Sequence, residues 1–186
     1  MGADRSGADG AVGEDPHDVA ARCVRAALDR GATLATAESL TAGLVCARLA
    51  DVPGASGALR GGVVAYATAL KHELLDVPAD LLQREGPVHP DVALAMAAGV
   101  RRRLGATVGV STTGVAGPGP ADGSPAGTAY AAVVGVGTPR VEALHLPGDR
   151  PAVRAATARA ALSLLAEVLE GPGDAPGPGA TGPAGP

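Results

Sequence analysis

The chain contains no phenylalanine and no tryptophan in 186 residues, and only two tyrosines, Tyr66 and Tyr130. Any core it builds must therefore come from alanine, valine and leucine, whose small side chains reach native packing density only where backbones approach closely. Helices laid directly on a sheet meet that demand. With 46% apolar residues the length gives room for one domain with a proper core, and two full domains are not expected. The first stretch, "MGADRSGADGAVGE" (1–14), and the last, "GPGDAPGPGATGPAGP" (171–186), are rich in Gly, Pro and Ala with no apolar period. Both read as disordered tails flanking one domain over 15–170.

Inside that domain, Asp15 and Pro16 form a cap and first-turn pair, and Val19, Cys23 and Ala27 recur at helical spacing up to Gly31. "ATLATAES" (32–39) reads as a short buried strand, followed by a helix from about Thr41 to Ala50 and a turn at "DVPGAS". "GGVVAYA" (61–67) is the second strand, leading into a short helix around Lys71, a short segment near "PADLLQ" and a longer helix over about 90–104. That helix carries Val92, Met96, Val100 and Leu104 at four-residue intervals. "ATVGVSTTG" (106–114) is the third strand. "TAYAAVVGVG" and "RVEALHL", joined at "GTPR", form a hairpin, and Val153, Thr157, Ala161, Leu164 and Val168 mark one face of a last helix from about Arg150 to Glu170. The implied fold class is α/β: a three-layer α/β/α arrangement with a mixed sheet of about five strands.

A formal charge of −4 and two isolated tyrosines give neither a basic footprint nor a stacking platform, so no nucleic-acid partner is expected. The one basic run, "RRR" at 101–103, closes a helix, where cations complement the dipole. Cys23 and Cys46 lie in apolar, helix-like stretches without paired spacing and read as small buried hydrophobes of a reducing compartment. No apolar run approaches the roughly 20 residues of a membrane span, and the start lacks the regions of a signal peptide. The expectation is a cytoplasmic protein with no membrane partner; "MGADRS" fits the loose myristoylation pattern as a chance match.

Fourteen of the fifteen basic side chains counted as Lys plus Arg are arginine, and Lys71 is the single lysine. Arginine stays charged, whereas a lysine ammonium gives up its proton readily and serves as a base or tuned acid. In α/β sheets ligands collect at the loops after the strands. Three such junctions are polar: "AESLTAG" (37–43), "YATALK" (66–71) and "STTGVAGPGPADGSPAGT" (111–128). The first puts Ser39 and Thr41 at a helix start, as a nucleophile, an anion cradle or a simple cap. The third brings Thr112, Thr113, Gly114, Gly117 and Gly119 into a loop that lets backbone approach a ligand, or merely connects two strands. It is neither a Walker loop nor a dinucleotide fingerprint. His17, His72, His89 and Asp91 show no metal-ligand spacing, so neither metal nor cofactor is expected, and His89 before Pro90 reads as a helix-start residue. The economical set is a hydroxyl with an amine: Ser39 with Lys71, and Tyr66 nearby as relay.

Taken together, "TAESLTAGLV", "DVPGAS", "GGVVAYATALK", "GPVHPDVA", "TTGVAGPGPADGSPAGT" and "PGDRPAVRAA" resemble, in order and spacing, the CinA C-terminal domain family, also known as nicotinamide-nucleotide amidohydrolase. The likeness runs from about residue 18 to 169. It implies a CinA C-terminal-like three-layer fold and hydrolysis of the carboxamide of nicotinamide mononucleotide to nicotinate mononucleotide and ammonia, a pyridine-nucleotide recycling step. Larger members carry an additional N-terminal molybdopterin-binding-like domain, so this chain looks like the stand-alone form. Ser39, Tyr66 and Lys71 match the family's catalytic Ser, Tyr and Lys. Thr113 and Gly114 fall in its T-G-x-A-G-P block with Gly117, while Arg150 and Arg154 fall in its G-D-R-x-x-V-R block. Thr41, Thr113, Gly114, Gly117, Arg150 and Arg154 are thus the expected substrate-binding set, the two arginines for the phosphate or else for structural ion pairs. Backbone N–H groups at 39–43 or 113–117 are the expected oxyanion donors. Tyr130 is either a stacking partner or simply buried in the hairpin. Leu40 and Ala42 depart from the family's commoner Cys and Gly, and the loop at 120–125 lacks a basic residue before its Pro. A nucleotide- or partner-binding module without turnover, and an amidase for another small amide, remain alternative readings, and a homo-oligomer is left open.

Overall fold

The computed structural model describes residues 16–171, so Asp15 and the segments expected to be tails, except Gly171, lie outside the described residues. The elements run α1 (Pro16–Asp29), β1 (Leu34–Glu38), α2 (Leu44–Ala50), a 3-10 turn (Ala55–Gly57), β2 (Leu59–Val64), α3 (Thr68–Leu75), α4 (Ala79–Glu85), α5 (Pro90–Arg103), β3 (Val108–Gly114), β4 (Thr128–Val134), β5 (Arg140–His145) and α6 (Arg150–Glu170). The five strands form one mixed sheet in the order β2-β1-β3-β4-β5. β1 lies parallel to β2 and β3, and the β3–β4 and β4–β5 pairs are antiparallel. This is the α/β class expected from the sequence, hairpin included.

Both faces of the sheet are covered, which is why β1 is buried at every position. Leu34 packs with Val108, Val110, Ala131 and Val133 beneath α1, α2 and α6. Ala35 and Ala37, pointing the other way, pack with Leu75, Val92, Met96 and Val100 of α3 and α5. The small side chains bring backbones into contact, as their volumes require. A Cβ on Gly99 would overlap the carbonyl of Leu75, and one on Gly109 that of Ala97, so α5 touches both α3 and β3 nearly atom to atom.

Three elements differ from the sequence expectation. β2 covers Leu59–Val64, ending before Tyr66 rather than running to Ala67. α2 begins at Leu44 rather than Thr41, because Ala42 (φ 52°) and Gly43 (φ 97°) are left-handed and hold residues 40–43 in a turn. α6 is buried around more than the expected face: Ala158, Leu162, Leu165, Ala166 and Leu169 join Val153, Thr157, Ala161 and Leu164. It lies between the sheet and α1 and so needs apolar residues on both sides. The arginine run ends α5 as expected; there Arg103 donates from Nε to the Leu74 carbonyl at 2.8 Å and from Nη2 to that of Glu73. His89 caps α5, its Nδ1 accepting from the Asp91 amide at 3.2 Å.

Candidate functional site

Because β1, β2 and β3 are parallel, the segments that leave them emerge at one edge of the sheet. β5 runs back to the same edge and delivers the start of α6 there. The chain leaves β1 for β2 on one side, and reaches β3 on the other, so the crevice between them is a topological switch point where α/β folds hold ligands. A cavity of about 240 Å³ opens there, lined by Ser39 and Leu40 after β1, Tyr66 and Lys71 after β2, Thr113 to Gly117 at the end of β3, Asp122, and Arg150.

Strand alternation decides which side chain meets which. Leu34, Thr36 and Glu38 face α2, whereas Ala35, Ala37 and, one step past the strand, Ser39 face α3 and α5. α3 places Lys71 on that side, 1% exposed, with Nζ 3.0 Å from Ser39 Oγ and donating to the Ala65 carbonyl at 3.1 Å. Ser39 itself is 7% exposed. Burial pushes the lysine down from its ordinary 10.5 to about 8, opposed by the negative charge of Asp122. A neutral amine beside a serine hydroxyl is thus accessible near physiological pH, an arrangement able to serve as a nucleophile with its base.

Asp122 arrives on a miniature hairpin. The amides and carbonyls of Ala121 and Ser124 pair reciprocally at 3.1 and 2.9 Å, and Asp122 and Gly123 both have positive φ, 50° and 75°. That is the type I′ turn which Asp-Gly favours. Arg150, the first residue of α6, donates from Nη1 to the Gly117 carbonyl at 3.0 Å and from Nη2 to the Tyr66 hydroxyl. These contacts hold a guanidinium at the cavity wall.

Of the nine residues singled out in the sequence, Ser39, Tyr66, Lys71, Thr113, Gly114, Gly117 and Arg150 line this cavity. Tyr66 does not bridge the pair: Lys71 reaches Ser39 directly, and the phenol, 52% exposed, is engaged by Arg150. Thr113 contributes backbone, since its hydroxyl donates to the Pro87 carbonyl at 2.7 Å. Thr41 and Arg154 fall outside. Thr41 is wholly buried, its hydroxyl donating to Glu38 Oε2 at 2.7 Å and paired with Thr112 Oγ1 at 2.7 Å. Arg154 donates from Nε to the Leu40 carbonyl and from Nη2 to that of Thr41, both at 2.9 Å. Tyr130 packs on the alanine cluster of α5 and β4, away from the cavity.

Glu38 was missed by sequence reasoning. It is 1% exposed and accepts from the amides of Gly43 (2.9 Å), Val45 (3.1 Å) and Cys46 (2.8 Å) and from the hydroxyls of Thr41 and Thr36. The Gly43 amide is therefore not available to an oxyanion, and Ser39 N–H is held by the Thr112 carbonyl. The amides of Leu40 and Thr41, and those of Ala116 and Gly117, have no acceptor among the described residues. The sequence signal for Glu38 was its strand parity: an acidic residue on the covered face of a fully buried strand needs internal donors.

The fold is thus a mixed α/β sheet with a buried serine–lysine pair at its switch point. Residues 16–169 match the model of the CinA C-terminal domain, and the chain belongs to that family. It is 51% identical over 144 residues to a CinA-like protein of Frankia casuarinae, covering 77% of this chain and 33% of that protein. It is 44% identical over 168 residues to a CinA-like protein of Mycobacterium marinum, covering 89% and 39%. The match thus spans 33% and 39% of the length of these two relatives. Among solved structures, a competence-damaged protein (CinA) superfamily protein from Klebsiella pneumoniae superposes with a TM-score of 0.80 at 32% identity, covering 84% of this chain and 98% of that one. The competence/damage inducible protein of Agrobacterium tumefaciens superposes at 0.79 with 31% identity, covering 83% and 96%.

Proposed function

We propose that this chain is a cytoplasmic amidohydrolase that converts nicotinamide mononucleotide to nicotinate mononucleotide and ammonia. The observation that carries this reading is the 3.0 Å contact between Ser39 Oγ and a buried Lys71 whose pKa falls to about 8. The neutral amine takes the Ser39 hydroxyl proton as Oγ attacks the carboxamide carbon. Lys71 then gives that proton to the departing nitrogen, which leaves as ammonia. Water, deprotonated by Lys71, cleaves the resulting ester; that proton returns to Ser39 Oγ, and the acid released gives its own proton to solvent to become the carboxylate. The net change is one water consumed per amide hydrolysed.

The developing oxyanion is matched by the free amides of Ala116 and Gly117, donors fixed in a loop before the reaction begins. Arg150 at the wall suits the phosphate, since a guanidinium presents two parallel donors to its oxygens. A cavity of about 240 Å³ lies below the ~300 Å³ at which small-molecule sites commonly begin, which fits the carboxamide ring inside and the phosphate at the mouth. Two free thiols, Cys23 and Cys46, accord with a reducing cytoplasm. Among the described residues, no helix is long and apolar enough to cross a membrane. The test is ammonia release from purified protein and nicotinamide mononucleotide, with the non-phosphorylated riboside as control. Release from the mononucleotide that disappears in Ser39→Ala is expected; turnover of an unrelated amide with none of the mononucleotide overturns the substrate assignment.

A further inference from the structure

The turn that carries Ser39 into α2 is gripped from two sides by opposite charges. Its acceptors, the carbonyls of Leu40 and Thr41, each receive an N–H from Arg154 at 2.9 Å. Its donors, the amides of Gly43, Val45 and Cys46, all converge on the Glu38 carboxylate at 2.8–3.1 Å. Glu38 extends the grip to β3, because Thr41 Oγ1 donates to it and pairs with Thr112 Oγ1, while the Thr112 carbonyl holds Ser39 N–H at 3.0 Å. Neither Glu38 nor Arg154 lines the cavity.

This segment cannot hold itself. Ala42 and Gly43 are left-handed, so residues 40–43 do not form the first turn of a self-supporting helix, and a left-handed alanine is strained relative to its helical form. Released, the turn would relax and carry Ser39 with it. We propose that Glu38 and Arg154 are paired positioning residues, an anion on the donors and a cation on the acceptors of one turn, which together aim Ser39 Oγ at Lys71 and the cavity. Their role rests on Ser39 being the nucleophile, and it takes Arg154 away from the substrate phosphate. Arg150 is then the remaining phosphate ligand of the two arginines.

The test uses the full chain with Arg154→Met, Arg154→Lys and Glu38→Gln, read by amide hydrogen exchange and by steady-state kinetics. Arg154→Met should speed exchange over residues 40–46 while leaving the β3–β4 amides protected. On the mononucleotide it should lower kcat by ~10–100-fold, as expected when a reacting group is displaced by about an ångström. KM should stay within about twofold, and the preference for mononucleotide over riboside should not change; Arg154→Lys should recover part of kcat. Should Glu38→Gln fail to fold, Arg154→Met carries the test alone. Unchanged exchange over 40–46 overturns the proposal, as does a raised KM for the mononucleotide at constant kcat. Faster exchange in the variant, with a wild-type protein inert toward the mononucleotide, upholds the clamp and rejects the substrate assignment.

Discussion

Lys71 Nζ lies 3.0 Å from Ser39 Oγ although 32 residues separate them, one following β1 and the other within α3. The sheet edge creates the pair. Lys71→Met keeps the aliphatic stem and removes the amine, so activity should fall by the ~10²–10⁴-fold typical of a general acid–base group while the fold persists. Lys71→Arg keeps the charge but not the exchangeable proton, and should lose activity similarly, with some added strain at a fully buried position. Stability supplies an independent check. With its pKa lowered from 10.5 to about 8 in the fold, Lys71 is protonated in both states below pH 8, and there the full cost of burying the charge is felt. Between about 8 and 10.5 the unfolded chain binds more protons, so this group makes stability rise with pH. Comparing chemical denaturation midpoints across that window should show the rise in wild type and its loss in Lys71→Met.

The same amine should set the pH dependence of turnover. A base must be neutral, so kcat/KM should increase with pH and level off above about 8. Asp122 opposes the burial effect by favouring the charged ammonium, and its neutralisation in Asp122→Asn should move the midpoint to lower pH. Tyr66 and Arg150, the other ionisable groups lining the cavity, are unchanged in that variant. Because Asp122 is exposed, the displacement should be larger at low ionic strength and shrink as salt screens it. A midpoint that stays put, or moves upward, would remove Asp122 from the electrostatics of the site.

Strain at Ala42 gives a stability prediction away from the chemistry. Its φ of 52° suits glycine, the commoner residue of the family's first block, and its side chain is exposed, so truncation loses no burial. Ala42→Gly removes roughly 1–2 kcal/mol of left-handed strain. Against that stands the ~0.4–1 kcal/mol of added unfolded-state entropy. The variant should be more stable by up to about 1.6 kcal/mol, read as a higher denaturation midpoint at unchanged slope.

What the sequence made legible follows from the range of the interactions involved. α1, α5 and the β4–β5 hairpin announce themselves through periodicity or turn residues within a few positions of each other. Ser39 and Lys71 were legible because each has a residue type suited to the chemistry and sits after a strand. Glu38 was not, since its partners are mainly backbone amides, which every residue possesses and no spacing rule marks. The place of Arg154 was not legible for the related reason that its partners are two carbonyls 113 and 114 residues away. Being four residues from Arg150 on a helix puts it on the same side as that residue, but deeper, over the turn rather than the cavity.

That separation makes the two arginines experimentally distinguishable. Arg150 lines the cavity and is steadied by the Gly117 carbonyl and the Tyr66 hydroxyl, so Arg150→Ala should raise KM for the mononucleotide more than it lowers kcat, phosphate binding being nearly uniform between ground and transition states. The preference for mononucleotide over riboside should shrink with it. Tyr66→Phe should act in the same direction but more weakly, because it removes one of the two contacts that orient the guanidinium and leaves its charge in place. Steady-state parameters for both substrates in both variants give the answer. An Arg150→Ala protein that still prefers the mononucleotide as strongly as wild type would place the phosphate elsewhere on the cavity wall.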